Sequence, residues 1–316
     1  MALSIRITVT IYQLKSGIIG DMERKRKQMI YKSNTKTNSG SPLERGFLRR
    51  LTALPFGFWI ACGTIIPLAM IVYYGLTDRT GNFTMYNITA VTDPVHAKAL
   101  GLSLVLSFAA TAICLLLAFP LAMILNNVRW GGRGMIVFIF ILPMWMNFLL
   151  RTMAWQVILE KGGIINSMLA LFHIPELTII NTPAAVVLGM VYDFLPFMVL
   201  PIYNAISKID SSLIEAAEDL GASGSKILID IIVPLSVPGI ASGITMVFVP
   251  SLTTFAISNI LGGGKIYLIG NIIEQEFTTS ANWNLGSGLS LVMMVFILIS
   301  MAFMSRTDKG GEGMYL

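Results

Sequence analysis

The sequence predicts an all-α polytopic membrane protein with six transmembrane helices, an expectation carried by composition, by the length of its apolar runs and by the placement of its basic residues. Of 316 residues, 55% are hydrophobic and 12% charged, and the mean hydropathy is +0.74. Soluble domains carry about 25% charged residues, so half that share points to lipid as the solvent for most of the chain. A hydrocarbon core of about 30 Å takes roughly 20 helical residues to cross, and six apolar runs reach that length. Eleven of the 22 basic residues stand in the first 50 positions against three acidic ones, the signature of an end held on the cytoplasmic side.

In chain order, residues 1–50 form a basic segment whose polar stretch at 32–41 has little to bury, so a disordered cytoplasmic tail is expected. Arg6 and Lys15 interrupt its start too early for a span or a signal peptide. Residues 51–98 hold the first span, at 54–76, and an external loop. The other five spans are expected at 100–125, 135–159, 184–205, 237–261 and 285–303, within a core at 99–304, and residues 305–316 form a second cytoplasmic tail. Prolines 67, 120, 143, 196, 201 and 250 fall inside these spans. Bundled membrane helices tolerate them because neighbours satisfy the freed backbone groups. With the N-terminus inside, Arg129, Arg133, Lys208, Lys226, Arg306 and Lys309 share its side, while Arg79, Lys98, Lys161 and Lys265 face outward. Cys62 and Cys114 lie in apolar runs without metal-like spacing and read as reduced core residues.

Between the fourth and fifth spans, residues 206–236 are unexpectedly polar. Ser212 and Glu215 fit a capping box, which starts a helix at Ser212. Leu213, Ala216, Ala217 and Leu220 then recur at helical spacing, gathering a small apolar face opposite Glu215, Glu218 and Asp219, and Gly221 supplies the stop. Glu215-Ala216-Ala217, Gly221 four residues on and Pro234 downstream resemble the EAA loop of ABC-importer permease subunits. Leu142-Pro143, Arg151-Thr152, Ala154-Trp155, Gly163-Ile164-Ile165-Asn166-Ser167, Leu195-Pro196-Phe197-Met198 and Gly270-Asn271 resemble the polyamine branch of that family, over residues 51–304.

The resemblance implies a MetI-like type I importer permease whose loop at 206–236 is a coupling helix seated in a groove of a cytoplasmic ATPase. Glu215, Ala216, Ala217, Asp219 and Gly221 would carry that contact. It further implies a homologous C-type permease, a homodimeric ATPase and an extracellular polyamine-binding protein as partners, with spermidine or putrescine as cargo. ATP and Mg would sit on the partner ATPase. No cofactor is expected on this chain, and the surroundings are membrane lipid rather than nucleic acid.

Asp193 falls about nine residues into the fourth span, roughly 14 Å at 1.5 Å per residue and so near the midplane. A carboxylate at that depth faces a cavity or a partner. Tyr192, Phe194, Pro196, Phe197 and, in the third span, Trp155 are candidates to line a path for a cation beside it, and Arg151 is the candidate partner in a structural ion pair. Glu274 and Glu276 form an acidic pair in the last external loop, where Gly262-Gly263-Gly264 supplies hinges and 272–277 has the makings of a short helix.

Gly262-Gly263-Gly264-Lys265 lacks the spacing and the following Ser or Thr of a phosphate-binding loop, so the chain is read as a non-catalytic permease subunit. His96 and His173 are too far apart in sequence to argue for a metal site or a triad. Three rival readings remain, one within the same fold and two of a different class. A related importer would carry aminoethylphosphonate, ferric iron or thiamine. An ion-gradient-driven transporter or channel would need no EAA loop and more buried ionisable residues than Arg151 and Asp193. An integral membrane enzyme would need a cluster of His, Cys or acidic residues.

Overall fold

The computed structural model describes residues 55–127 and 142–312, with side chains through Met304. The expected basic tail at 1–50 and the stretch containing Arg129 and Arg133 lie outside the described residues. One unit ends at Leu68 and another begins at Ala69. Within the first, the described residues are the opening part of α1 (Pro55–Gly75), an apolar helix with a π-turn at Ala61–Ile65.

The second unit holds α2 (Tyr86–Thr89), α3 (Pro94–Asn127), α4 (Phe148–Leu159), α5 (Ile164–Leu171), α6 (Pro183–Ile206), α7 (Ser211–Asp219), α8 (Gly224–Thr253), α9 (Ala256–Gly262), α10 (Ile269–Thr278) and α11 (Trp283–Glu312). Among the described residues, five helices are long and apolar enough to cross a membrane: α1, α3, α6, α8 and the Trp283–Met304 part of α11.

Helix α6 is the centre of the bundle. Ala110, Cys114, Ala118 and Ala122 recur every four residues on α3 and are fully buried. A stripe of small side chains lets two membrane helices approach closely, where packing rather than the hydrophobic effect holds them. Against that stripe lie Met190, Met198, Val199 and Ile202 of α6, all fully buried. Helix α8 also lies close to α6: a Cβ on Gly239 would stand 2.6 Å from the Pro201 carbonyl oxygen, and one on Gly243 2.7 Å from Met198 Sδ.

Two expected spans differ from what is found. The third, at 135–159, begins outside the described residues, and its remainder is not one helix. A 3₁₀ turn at Leu142–Trp145 is followed by Asn147, whose side chain accepts from the Leu149 N–H at 2.8 Å and starts α4 afresh. Twelve residues of α4 reach about 18 Å, short of a bilayer crossing. The fifth, at 237–261, is displaced. Helix α8 begins earlier, at Gly224, runs through a π-turn at Leu228–Ile232 and stops at Thr253, because Thr254 turns extended before α9 begins. Hydropathy misses the break because residues on both sides of it are equally apolar.

That break is held from outside. Asn271, buried on α10, accepts from Ser258 Oγ (2.7 Å) and the Leu268 N–H (2.9 Å) and donates to the Phe255 carbonyl (3.1 Å) and Asn259 Oδ1 (2.6 Å). Gly270 beside it has no room for a Cβ, which would meet the Thr253 carbonyl oxygen at 2.6 Å. Ser103 of α3 accepts from the Ile269 N–H at 2.9 Å. The short helix expected at 272–277 is therefore α10, longer at both ends and pinned to the bundle.

Candidate functional site

Helix α7 forms as a local unit, with a different cap from the expected one. Asp210, not Ser212, is the N-cap: its Oδ1 accepts from the Ser212 N–H at 3.0 Å, so Ser212 lies inside the helix and the Ser212–Glu215 capping box does not form. The same hydrogen bond holds the Asp210 carboxyl below the usual aspartate range, since only the charged form accepts it fully. At the other end Gly221 takes φ +80°, its N–H bonds Glu218 O at 2.8 Å, and the Ala222 N–H bonds Ala217 O at 2.9 Å. That pair is a Schellman closure, and its left-handed residue favours glycine.

No residue of α7 is fully buried. The expected apolar face does not turn inward as one surface. Ile214 and Ala217 are half-buried, Glu215 and Glu218 line a cavity of about 440 Å³ beside Met123 and Asn126 of α3, and Leu213 lines a second cavity on the other flank. Ala216 and Asp219 are exposed, and Leu220 is 89% exposed. Successive residues turn by about 100°, so Ser212, Ala216, Asp219 and Leu220 share the outward side. The two alanines are thus divided, Ala216 outward and Ala217 toward the bundle. Leu220, the C-cap of α7 and absent from the sequence-derived site, is more exposed than any large apolar residue of the helix itself.

At mid-span, α4 and α6 bring Arg151 and Asp193 together. Arg151 Nη2 lies 3.1 Å from Asp193 Oδ1, with both side chains buried. Thr152 Oγ1 lies 3.0 Å from Asp193 Oδ2 and donates to it, sharing its proton with the Phe148 carbonyl at 2.8 Å. The ion pair is electrostatic rather than directed: Asp193 Oδ1 and Arg151 Nε have no aligned hydrogen-bond partner among the described residues. Both residues border a cavity of about 650 Å³ that Phe194, Phe197, Pro250 and Thr253 also line. Thr152 is a hydrogen-bonding neighbour of the pair that charge-based reading overlooks; its position next to Arg151 in the Arg151-Thr152 motif is the signal that was available.

Trp155 and Tyr192 pack edge to face at 5.4 Å, and the Arg151 guanidinium stands 5.8 Å from the Tyr192 ring. The two rings line a separate apolar groove with Leu106 and Val187, so of the aromatic candidates it is Phe194 and Phe197 that border the cavity with Asp193. Glu274 and Glu276 do not make a common site. Glu274 accepts from Thr278 Oγ1 at 3.1 Å, while Glu276 lines a different cavity with His96, Lys98 and Lys265. Residues two apart on a helix do not face one another.

Comparison with known proteins accords with this architecture. The family described as binding-protein-dependent transport system inner membrane component matches residues 116–310. The spermidine/putrescine transport system permease protein PotB of Haemophilus influenzae is 36% identical over 269 residues, covering 83% of this chain and 94% of that protein. PotB of Escherichia coli is 35% identical over 259 residues, covering 79% and 94%. The inner membrane ABC transporter permease protein YdcU of Escherichia coli is 29% identical over 262 residues, covering 77% and 83%. In fold, a chain of the bacterial alginate ABC transporter solved with its alginate pentasaccharide-bound periplasmic protein superposes with a TM-score of 0.73 at 18% identity, over 84% of this chain and 95% of that one. A multi-pass helical bundle, an exposed capped helix between α6 and α8, and similarity along most of the chain lead to one conclusion: this chain belongs to the family of binding-protein-dependent transport system inner membrane components, as a permease of the ABC-importer kind.

Proposed function

We propose that this chain is the permease subunit of an ATP-driven importer for polyamines, spermidine and putrescine, and forms half of the translocation path. The observation that carries the reading is the similarity to PotB over 94% of that protein's length, supported by a mid-span carboxylate, Asp193, bordering a cavity with aromatic walls. A linear polycation entering a membrane needs anions and π-faces to replace its water.

Membership in the family implies a second permease, an ATPase and a substrate-binding protein as partners. In the proposed assembly these are a homologous C-type permease, a homodimeric ATPase holding ATP and Mg, and an extracellular polyamine-binding protein. The excess of basic residues in the first 50 positions supports cytoplasmic termini and a cytoplasmic α7. The outward side of α7, with small Ala216 flanked by Asp219 and Leu220, meets the ATPase, and Glu215 and Glu218 hold the flank toward α3. Closure of two ATPase subunits would move two such helices together and rock the attached spans.

Uptake of labelled spermidine by cells lacking other polyamine importers tests the assignment. Expression of the complete transporter restores uptake, deletion of this subunit abolishes it, and Asp193→Asn lowers it more for spermidine than for a monovalent amine. Uptake indifferent to the deletion would remove the assignment.

A further inference from the structure

We infer that Phe197, together with Met144, is the constriction that separates the Arg151–Asp193 cavity from a second cavity reaching the start of α7. This inference rests on the reading of the chain as half of a translocation path, with the Arg151–Asp193 cavity as part of it. The second cavity, of about 970 Å³, is lined by Asn204, Lys208, Asp210, Leu213 and Ser242 among others, and it shares two lining residues with the first, Phe197 and Met144.

The two cavities follow one helical face. On α6 the lining positions 193, 197, 201 and 204 recur at steps of three or four, and on α8 so do 253, 250, 246, 242 and 239. Residues at such spacing stand one above the other, so a single groove runs from the ion pair toward Asp210 and is narrowed where the two cavities meet. Asp193 and Phe197 are one turn apart, about 6 Å along the axis. Beyond the ion pair, whose carboxylate is already matched by Arg151, a cation therefore meets an aromatic ring next, and the π-face takes its ammonium or methylene groups. Phe197 is 38% exposed and Met144 half-buried, which marks both as wall rather than core. A ring and a flexible thioether make a seal that yields to an apolar spacer and resists small hydrated ions.

The test uses the complete transporter reconstituted in liposomes, with three readouts: ATP-driven uptake of labelled spermidine, ATPase rate, and ATP-independent release of preloaded choline. Phe197→Ala is expected to raise choline release about tenfold while the ATPase rate stays within about twofold. Phe197→Leu, which refills the space, returns release to the wild-type level, and Met144→Ala with Phe197→Ala leaks more than either alone. Unchanged release in Phe197→Ala and in the double variant, with assembly and ATPase intact, overturns the constriction. The choline assay reads the seal even if spermidine is not the cargo. A constriction that fails while Asp193→Asn still lowers spermidine uptake leaves the path standing, and spermidine uptake absent in the wild type removes the cargo alone.

Discussion

Arg151 and Asp193 form a buried ion pair at 3.1 Å between α4 and α6, on the wall of the mid-span cavity. The pair has a consequence for stability as well as for cargo. Arg151→Met leaves an uncompensated carboxylate in an apolar setting, a change that costs about 3–5 kcal/mol, whereas Arg151→Met with Asp193→Leu removes both charges and recovers most of it. Thermal unfolding of the purified protein in detergent reads the difference. Equal losses in the single and double variants would show that the pair is not coupled.

Gly221 stands at φ +80° with open space where a Cβ would go. The requirement is therefore on the backbone and not on volume. Gly221→Ala is expected to cost about 1–2 kcal/mol in the closing turn of α7 and Gly221→Val more, while Gly221→Asn, which tolerates the left-handed region, retains most coupling. Substrate-stimulated ATPase activity of the assembled complex checks the ranking; Asn behaving as badly as Val would point to a contact rather than to backbone conformation.

Asp210 caps α7 with its carboxylate held below the usual aspartate range by the Ser212 N–H. A depressed folded-state pKa means a contribution that is complete above the unfolded value and lost as pH falls through the folded one. Pepsin, which works in that acid window, is expected to nick the 207–222 segment faster as pH drops below the usual aspartate range. Asp210→Asn, a cap that does not titrate, should flatten this dependence. A pH profile identical in both proteins would assign the cap elsewhere.

Asn271 uses both donors and its carbonyl oxygen to tie α10 to the α8–α9 break. Asn271→Ala strands the buried Leu268 N–H, at about 1–3 kcal/mol, whereas the Phe255 carbonyl keeps the Asn259 N–H and Ser258 Oγ as donors. Hydrogen exchange at residues 268–278 should accelerate well before α3 or α6 loosens. Uniform acceleration throughout would mean that Asn271 supports the whole bundle rather than this junction.

Most of the long helices are legible because their cause is local: apolar runs near 20 residues specify α1, α6 and the Trp283–Met304 part of α11 to within a few positions, whereas α3 begins earlier, at Pro94, and α11 continues as helix to Glu312 where a tail was expected. The end of α7 is legible for the same reason, since Gly221 can close a helix by itself. Its start is not, because Ser212 and Asp210 are both competent caps and only the path of the chain out of α6 decides between them. The α4 and α8–α9 interruptions are hidden because Asn147 and Thr254 sit in runs whose average hydropathy is unchanged by one polar residue.

What the sequence by itself determined is the solvent, the helical class and the presence of a polar helix between two spans, all properties set by composition and short-range spacing. The tertiary structure alone decided that Arg151 meets Asp193 across two helices, that Ala216 faces outward while Ala217 faces the bundle, that Glu274 and Glu276 part company, and that Phe197 lies where two cavities join. These depend on how α4 and α8 lie against α6, and that is set by close contacts such as Gly239 on Pro201 and Gly243 on Met198. Contacts between residues some 40 positions apart leave no periodic trace in either partner's own neighbourhood.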